Sequence, residues 1–158
     1  MGVAGAGKTS VGRALSLELG WRFIDADDRH SPLSVEKMSK GIPLTDADRL
    51  PWLNDLHGEI VRTLDCGESL VLSCSALKVA YRQILCGTRA SVGFVYLKAS
   101  ETELRRRLSA RFDHFAPESL LKSQLTTLEE PSRDEAVIVD ARLTEEDIVT
   151  TIRRAFEV

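Results

Sequence analysis

The stretch that most constrains this chain is its first nine residues, MGVAGAGKT. From Gly2 onward they fit the phosphate-binding pattern G-x-x-x-x-G-K-[ST] without a mismatch. Gly2, Gly5 and Gly7 let the backbone turn tightly, so that successive N–H groups along Gly2, Val3, Ala4, Gly5, Ala6 and Gly7 aim at a β-phosphate. Lys8 adds positive charge toward the β- and γ-phosphates, and the Thr9 hydroxyl is placed to reach Mg²⁺. Residues 10–19 continue as an amphipathic helix whose N-terminal dipole favours the same anion. A flexible Gly/Ala tail has a similar composition, but it does not carry the whole eight-residue pattern and then run into a helix. The chain therefore reads as a binder of a nucleoside triphosphate.

A loop of this kind normally leaves the end of a buried parallel strand, and here only Met1 stands before it. Five absent apolar residues, at ~1.5–3 kcal/mol each when fully buried, amount to ~7–15 kcal/mol. That equals the net stability of a typical domain, about 5–15 kcal/mol. Either the natural protein begins upstream or another segment fills the gap; the first is the expectation, with Met1 an internal strand residue.

Four short apolar runs follow, at residues 21–25, 70–74, 92–97 and 136–139. Continuous runs of this length suit strands buried on both faces of a parallel sheet. Between them, Leu53, Leu56, His57, Ile60, Val61 and Leu64 mark one face of a long helix beginning near Asp46. Residues 80–85, 101–110, 117–128 and 145–156 also read as helical, and Gly20 as a helix stop. The expected architecture is a single α/β domain over residues 1–158, a three-layer αβα fold with a parallel sheet, of the mononucleotide-binding type. At 158 residues, 43% hydrophobic and 28% charged, the chain has the length and balance of one globular domain. A net charge of −3 does not point to nucleic acid or to an anionic membrane as partner. No apolar run approaches the ~20 residues of a membrane span, so a cytosolic location is expected. Cys66, Cys74 and Cys86 lack C-x-x-C spacing and read as reduced thiols, with Cys74 in the core.

Four segments carry the chemistry. Asp25-Ala26-Asp27-Asp28 lies at the carboxyl end of the first apolar run, the edge where ligands collect in open parallel sheets. Ser73-Cys74-Ser75 stands where the second run would offer an acid, so Asp25 is the expected metal partner of Thr9. Asp27 is then placed to accept the proton of a substrate hydroxyl. Turn formation or helix capping is the competing explanation for such a cluster, and for Asp28 it is the simpler one. In the second segment Thr45 or Asp46 caps the long helix, and Arg49 offers a planar fork to a carboxylate or to Asp46 and Asp48. In the third, Lys78 and Arg82 stand four apart, two cations for one helical face. In the fourth, Arg107 and Arg111 repeat that spacing ahead of a short lid at about 111–117, where arginines would close over the transferring phosphoryl group.

Taken together and in order, these residues resemble the gluconokinases. The resemblance is carried by the loop, by Asp25-Ala26-Asp27-Asp28 with His30, and by Lys37-Met38…Gly41-Ile42-Pro43-Leu44…Asp48-Arg49…Pro51-Trp52-Leu53. Cys74-Ser75-Ala76-Leu77-Lys78…Tyr81-Arg82, Arg111…His114-Phe115 and Ser123-Gln124…Leu128-Glu129…Pro131 complete it. It implies a kinase related to shikimate and adenylate kinases that phosphorylates the 6-hydroxyl of D-gluconate with ATP and Mg²⁺. It further implies that Lys8, Asp27 and Arg111 are catalytic, that Arg107 and Arg111 join the loop at the nucleotide, and that Asp27, His30, Arg49, Lys78, Arg82 and His114 line the sugar acid. Dimers are common among such kinases. Departures are Thr9 for the usual Ser, Phe112-Asp113 in the lid, Ser31 between His30 and Pro32, and the absent strand. Other readings are a kinase for another small sugar acid or a catalytically silent nucleotide-binding chain.

Overall fold

A computed structural model describes residues 1–89, 91–110 and 118–158. Helices and strands alternate as α1 (Lys8–Leu19), β1 (Arg22–Asp25), a 3₁₀ turn (Ala26–Arg29), α2 (Pro32–Ser39), α3 (Asp46–Asp65) and β2 (Leu70–Ser73). The order continues with α4 (Val79–Cys86), β3 (Val95–Lys98), α5 (Glu101–Ser109), α6 (Glu118–Thr127), β4 (Val137–Asp140) and α7 (Glu145–Phe156). Local chemistry sets many of the boundaries. Gly20 ends α1 in the left-handed region (φ 68°), returning its N–H to Ser16 O. Thr45 and Asp48 form a reciprocal capping box at the start of α3, and Pro51 sits inside the second turn of that helix, just ahead of the buried Trp52 and Leu53. Thr144 caps α7, whose first turn carries Glu145, Glu146 and Asp147 and whose last carries Arg153 and Arg154, as the helix dipole favours.

The strands form two parallel pairs. β1 runs beside β2 with Arg22 opposite Leu70 and Asp25 opposite Ser73. β3 runs beside β4 with Val95 opposite Val137 and Lys98 opposite Asp140. Helices cover both faces. Val11 and Leu15 of α1 share one core with Leu104, Leu121, Ile148 and Ile152. On the other face Leu53, Leu56 and Ile60 of α3 pack with Tyr81 and Leu85 of α4. Cys74 is buried in this second core, and loss of solvent pushes its thiol up to about 11. The three layers expected from the sequence are therefore present, while the expected continuous sheet is two half-sheets. Cys66, Cys74 and Cys86 are all free thiols. No helix among the described residues is long and apolar enough to cross a membrane.

Between β2 and β3 runs the start of the phosphate loop. The Met1 nitrogen donates to Val95 O, Leu97 N–H donates to Met1 O at 3.0 Å, and Gly2 N–H donates to Ser75 O at 3.2 Å. Met1 thus bonds the backbone of β3 at Val95 and Leu97. Alongside it lies a cavity of about 380 Å³ whose walls include Val11, Leu15, Val71, Val95 and Leu97. The third apolar run enters the ladder at Val95 rather than at Val92. A Cβ on Gly93 would collide with Phe156, so this part of the chain is given over to the approach of α7.

Whether this apolar cavity beside Met1 accepts a further strand is testable by filling it. Five residues of Val and Ile character placed ahead of Met1 are expected to stabilise the fold by several kcal/mol, at ~1.5 kcal/mol or more for each side chain fully buried. Urea unfolding of the extended and unextended chains makes the comparison. Equal midpoints would mean that the cavity does not accept a strand.

Candidate active site

The loop is shaped by its glycines and held by its neighbours. Gly5 (φ 83°) turns in the left-handed region, and a Cβ there would sit 3.1 Å from Leu108 Cγ, so α5 packs directly on the loop. Gly7 (φ 95°) caps α1, and the place its Cβ would take is 3.8 Å from Arg107 Nη1. Arg107 therefore stands beside the loop, with Nε on Glu103 at 2.6 Å and Nη2 on Ala141 O at 2.6 Å. Lys8 Nζ folds back to Val3 O at 3.1 Å. Ala4 N–H is taken by Gln124 Oε1 at 2.6 Å.

Thr9 and Asp25, the two expected metal partners, meet: Thr9 Oγ1 donates to Asp25 Oδ2 at 2.7 Å. Asp25 Oδ1 also accepts the Asp27 N–H at 3.1 Å, so Asp25, rather than Asp28, is the cap of the 3₁₀ turn. Asp27 and Asp28 are both exposed on that turn. Opposite Asp25 in the ladder, Ser73 Oγ is buried without a hydrogen-bond partner among the described residues. Two hydroxyls and one carboxylate make a hard-oxygen set, which fits Mg²⁺ bound largely through phosphates and water. Among the described residues no group of three or more His, Cys, Asp or Glu forms a fuller metal cage.

The turn then leads to the second half of the site. His30 stacks on Trp52 at 4.2 Å between ring centroids and 17° between planes, and Trp52 Nε1 donates to Ala26 O at 2.7 Å. Burial lowers the His30 pKa below its usual value, with Asp27 opposing and Arg49 adding to the shift. The ring is thus held toward its neutral form, and its buried Nδ1 has no partner among the described residues.

Arg49 lies one helical turn into α3 and donates to Leu44 O and, at 3.4 Å, to the Tyr81 hydroxyl. Lys78 Nζ lies 2.8 Å from both Asp46 oxygens, and the Tyr81 hydroxyl also donates to Asp46. The Lys78 bond, then the Tyr81 bond, holds the Asp46 carboxyl below its usual range. Arg49 Cζ and Lys78 Nζ lie 5.8 and 5.5 Å from the Tyr81 ring centroid. The two cations expected to read an anionic substrate therefore flank one phenol, with Asp46 already engaged between Lys78 and Tyr81.

Lys78 and Arg82 do not share a face. The helix begins at Val79, leaving Lys78 extended at the cap position (φ −102°, ψ 151°). Arg82 is buried, with Nη1 on Ala76 O (3.3 Å) and Glu129 O (3.1 Å) and Nη2 3.6 Å from Glu135 Oε1. Its contacts among the described residues are these backbone and carboxylate oxygens of the fold. Arg111, His114 and the lid at 111–117 fall outside the described residues.

A family model described as an AAA domain matches residues 1–131. A gluconokinase from Gluconobacter oxydans (strain 621H) is 51% identical over 138 residues, covering 87% of this chain and 78% of that protein. The chain belongs to the gluconokinase family. Among solved structures, a gluconokinase from Sinorhizobium meliloti 1021 superposes with a TM-score of 0.85 at 44% identity, covering 96% of this chain and 85% of that one. An unliganded sugar kinase from Janibacter sp. HTCC2649 superposes with a TM-score of 0.94 at 40% identity, covering 100% and 92%.

Within this gluconokinase-family site, Asp46 bonds Lys78 and Tyr81 rather than only capping α3 or pairing with Arg49, and Ser73, Tyr81, Trp52 and Gln124 join the site without a local signal of their role. Tyr81 and Gln124 stood in the quoted runs, three residues after Lys78 and next to Ser123, but what each touches is a tertiary fact. The start of α3 is tied to α2 by Lys37 Nζ on Asp48 Oδ1 at 2.7 Å. Lys37, then the Thr45 backbone and hydroxyl, lowers the Asp48 carboxyl from 3.8 to about 2. A depressed carboxylate contributes stability above its unfolded pKa and loses it as pH falls through the folded one. Asp48→Asn should therefore melt below the parent at pH 6, and the gap should close between pH 4 and pH 2. A gap that is constant across that window in thermal melts would refute this role for Asp48.

Proposed function

We propose that the chain transfers the γ-phosphoryl group of ATP to the 6-hydroxyl of D-gluconate, forming 6-phospho-D-gluconate and ADP. The observation that carries this reading is one continuous turn. It begins at the Thr9–Asp25 pair, exposes Asp27 two residues on, and ends with His30 stacked on the helix that carries Arg49. This supports a reading in which phosphate chemistry stands at one end of these few residues and sugar-acid chemistry at the other.

In the mechanism the loop N–H groups other than that of Ala4, with Lys8, hold the β- and γ-phosphates, with Arg107 at their flank and Arg111 assigned to the transferring group. Thr9 and Asp25 would hold Mg²⁺, which when bound neutralises charge on the phosphates. Asp27 orients the 6-hydroxyl and accepts its proton as the oxygen forms its bond to phosphorus and the bond to the β–γ bridging oxygen breaks. Arg49 and Lys78 read the carboxylate at the far end, Lys78 exchanging its contact with Asp46 for the substrate. His30 and His114 serve the hydroxyls between. Arg82 acts one step back, as the staple that ties the backbone at Ala76, ahead of Lys78, to Glu129. The cytosol is the proposed setting, supported by the three free cysteines.

Turnover of ATP against a panel of sugar acids is the direct test. Asp27→Asn is expected to lower kcat by about 10²–10⁴-fold, the usual cost of losing a general base, with KM for ATP nearly unchanged. Collapse of ATP·Mg²⁺ binding with kcat preserved would instead exchange the roles of Asp25 and Asp27.

Arg49→Ala should raise KM for gluconate about tenfold or more, the size of a lost charged hydrogen bond, and leave KM for ATP alone. Glucose, which has no carboxylate, should be a very poor substrate of the parent. Comparable turnover of glucose and gluconate would overturn the assignment of Arg49 and Lys78.

A further inference from the structure

We propose that Gln124 is a positioning residue for the phosphate loop, and that the segment from Gln124 to Glu129 is a strut joining the loop to the sugar-acid end of the site. The proposal deepens the kinase reading above and rests on it. Its first support is the bond from Ala4 N–H to Gln124 Oε1, 2.6 Å long and spanning 120 residues of sequence. Ala4 lies inside the motif whose N–H groups otherwise face phosphate. An N–H given to a protein acceptor fixes the local course of the loop instead.

The reach of Gln124 is itself fixed. Leu121, one turn earlier on α6, is buried in the same core as Val3 and Ala6 of the loop. Helix and loop are therefore registered on each other by packing, and the Gln124 bond reads out that register.

The second support lies five residues on. Glu129 Oε2 accepts the Val79 N–H at 2.6 Å, Glu129 N–H donates to Leu77 O at 2.8 Å, and Glu129 O accepts from Arg82 at 3.1 Å. Those contacts hold the residues immediately before and after Lys78. Next in sequence, Glu130 bonds Lys98 Nζ at 2.6 Å and Tyr96 OH at 3.3 Å, pinning the strut to β3. A shift at Lys78 is thus carried by backbone bonds to Glu129 and through one short stretch of chain to Ala4.

The residue type fits this place. Gln accepts from Ala4 without setting a negative charge beside a triphosphate, whereas Glu of the same length would accept equally well and repel the nucleotide. Met matches the length and offers no comparable acceptor.

Three variants test the proposal by ¹⁵N–¹H spectra and steady-state kinetics. Gln124→Met is expected to shift the Ala4 amide resonance and to lower kcat by up to about 10²-fold, the cost of a misplacement near 1 Å, with KM for gluconate and the thermal midpoint little changed. Gln124→Glu should keep the Ala4 resonance near that of the parent, recover kcat at saturating ATP and raise KM for ATP. Glu129→Ala should move the Ala4 resonance from a distance and raise KM for gluconate. A Gln124→Met enzyme with kcat within twofold of the parent overturns the positioning role, and an Ala4 resonance indifferent to Glu129→Ala overturns the strut. If the parent phosphorylated no sugar acid, the substrate assignment would fail while the Ala4 resonances would still decide whether the loop is held in this way.

Discussion

The hydrogen bonds that Met1 and Gly2 make to Leu97 and Ser75 are the contacts on which the placement of the other groups depends. They are the crossing point between two parallel strand pairs, each with its own helical cover. Because the loop is fastened there on both sides, α1 starts in a fixed position and Thr9 meets Asp25 on the neighbouring strand. Everything chemical in the site is then measured outward from that pair. The same crossing is narrow, and the cavity beside it leaves strand edges on β2 and β3 with little between them, an arrangement that proteins usually avoid by pairing or covering such edges.

The charges of the candidate site are arranged as partnerships, which the proposed binding of an anionic substrate would rearrange. Asp46 holds Lys78 and Tyr81, and Glu103, held at about 2 chiefly by Arg106 and then by Arg107, steadies Arg107 beside Gly7. Asp46 is exposed, so its contacts are screened by water and salt and give way at small cost. In the proposed reading, such partnerships keep the cations in place and still let an incoming anion displace the resident one. Arg82 is the opposite case: buried, bonded to backbone carbonyls and hard to redirect.

Much of this was legible in the sequence because its causes are local. The loop motif, the four apolar runs, the Gly20 stop and the cap of α3 each depend on a few neighbouring residues, and each stands close to where it was read. What was not legible depends on distant partners. Lys78 and Arg82 look like a pair at helical spacing until the helix is seen to begin between them. The role of Gln124 lies across the fold in Ala4, and that of Trp52 in a stack with His30. The short helix α2 escaped because it carries no apolar stripe. Leu33 and Val35 point to solvent and only Ser34 is buried, so the Ser31 cap and Pro32 were its main signals. The two strand pairs meet through Met1 and Gly2, whose partners Leu97 and Ser75 lie far away in sequence, so that junction had no local signal.

Cys74 lies at the foot of this site, between the ends of β2 and the residues that lead to Lys78, and its thiol is raised to about 11 by burial. At neutral pH only about one molecule in ten thousand carries the thiolate there, the form that oxidants and alkylating reagents attack. The centre of the fold is therefore chemically quiet even though it contains sulfur. Cys66, at the end of α3, is exposed, and Cys86, at the end of α4, is partly so. Maleimide dyes, spin labels and peroxide would accordingly mark the rim of the molecule and leave its interior untouched, which makes those two positions natural handles for optical or magnetic probes of how the helices move as the site fills.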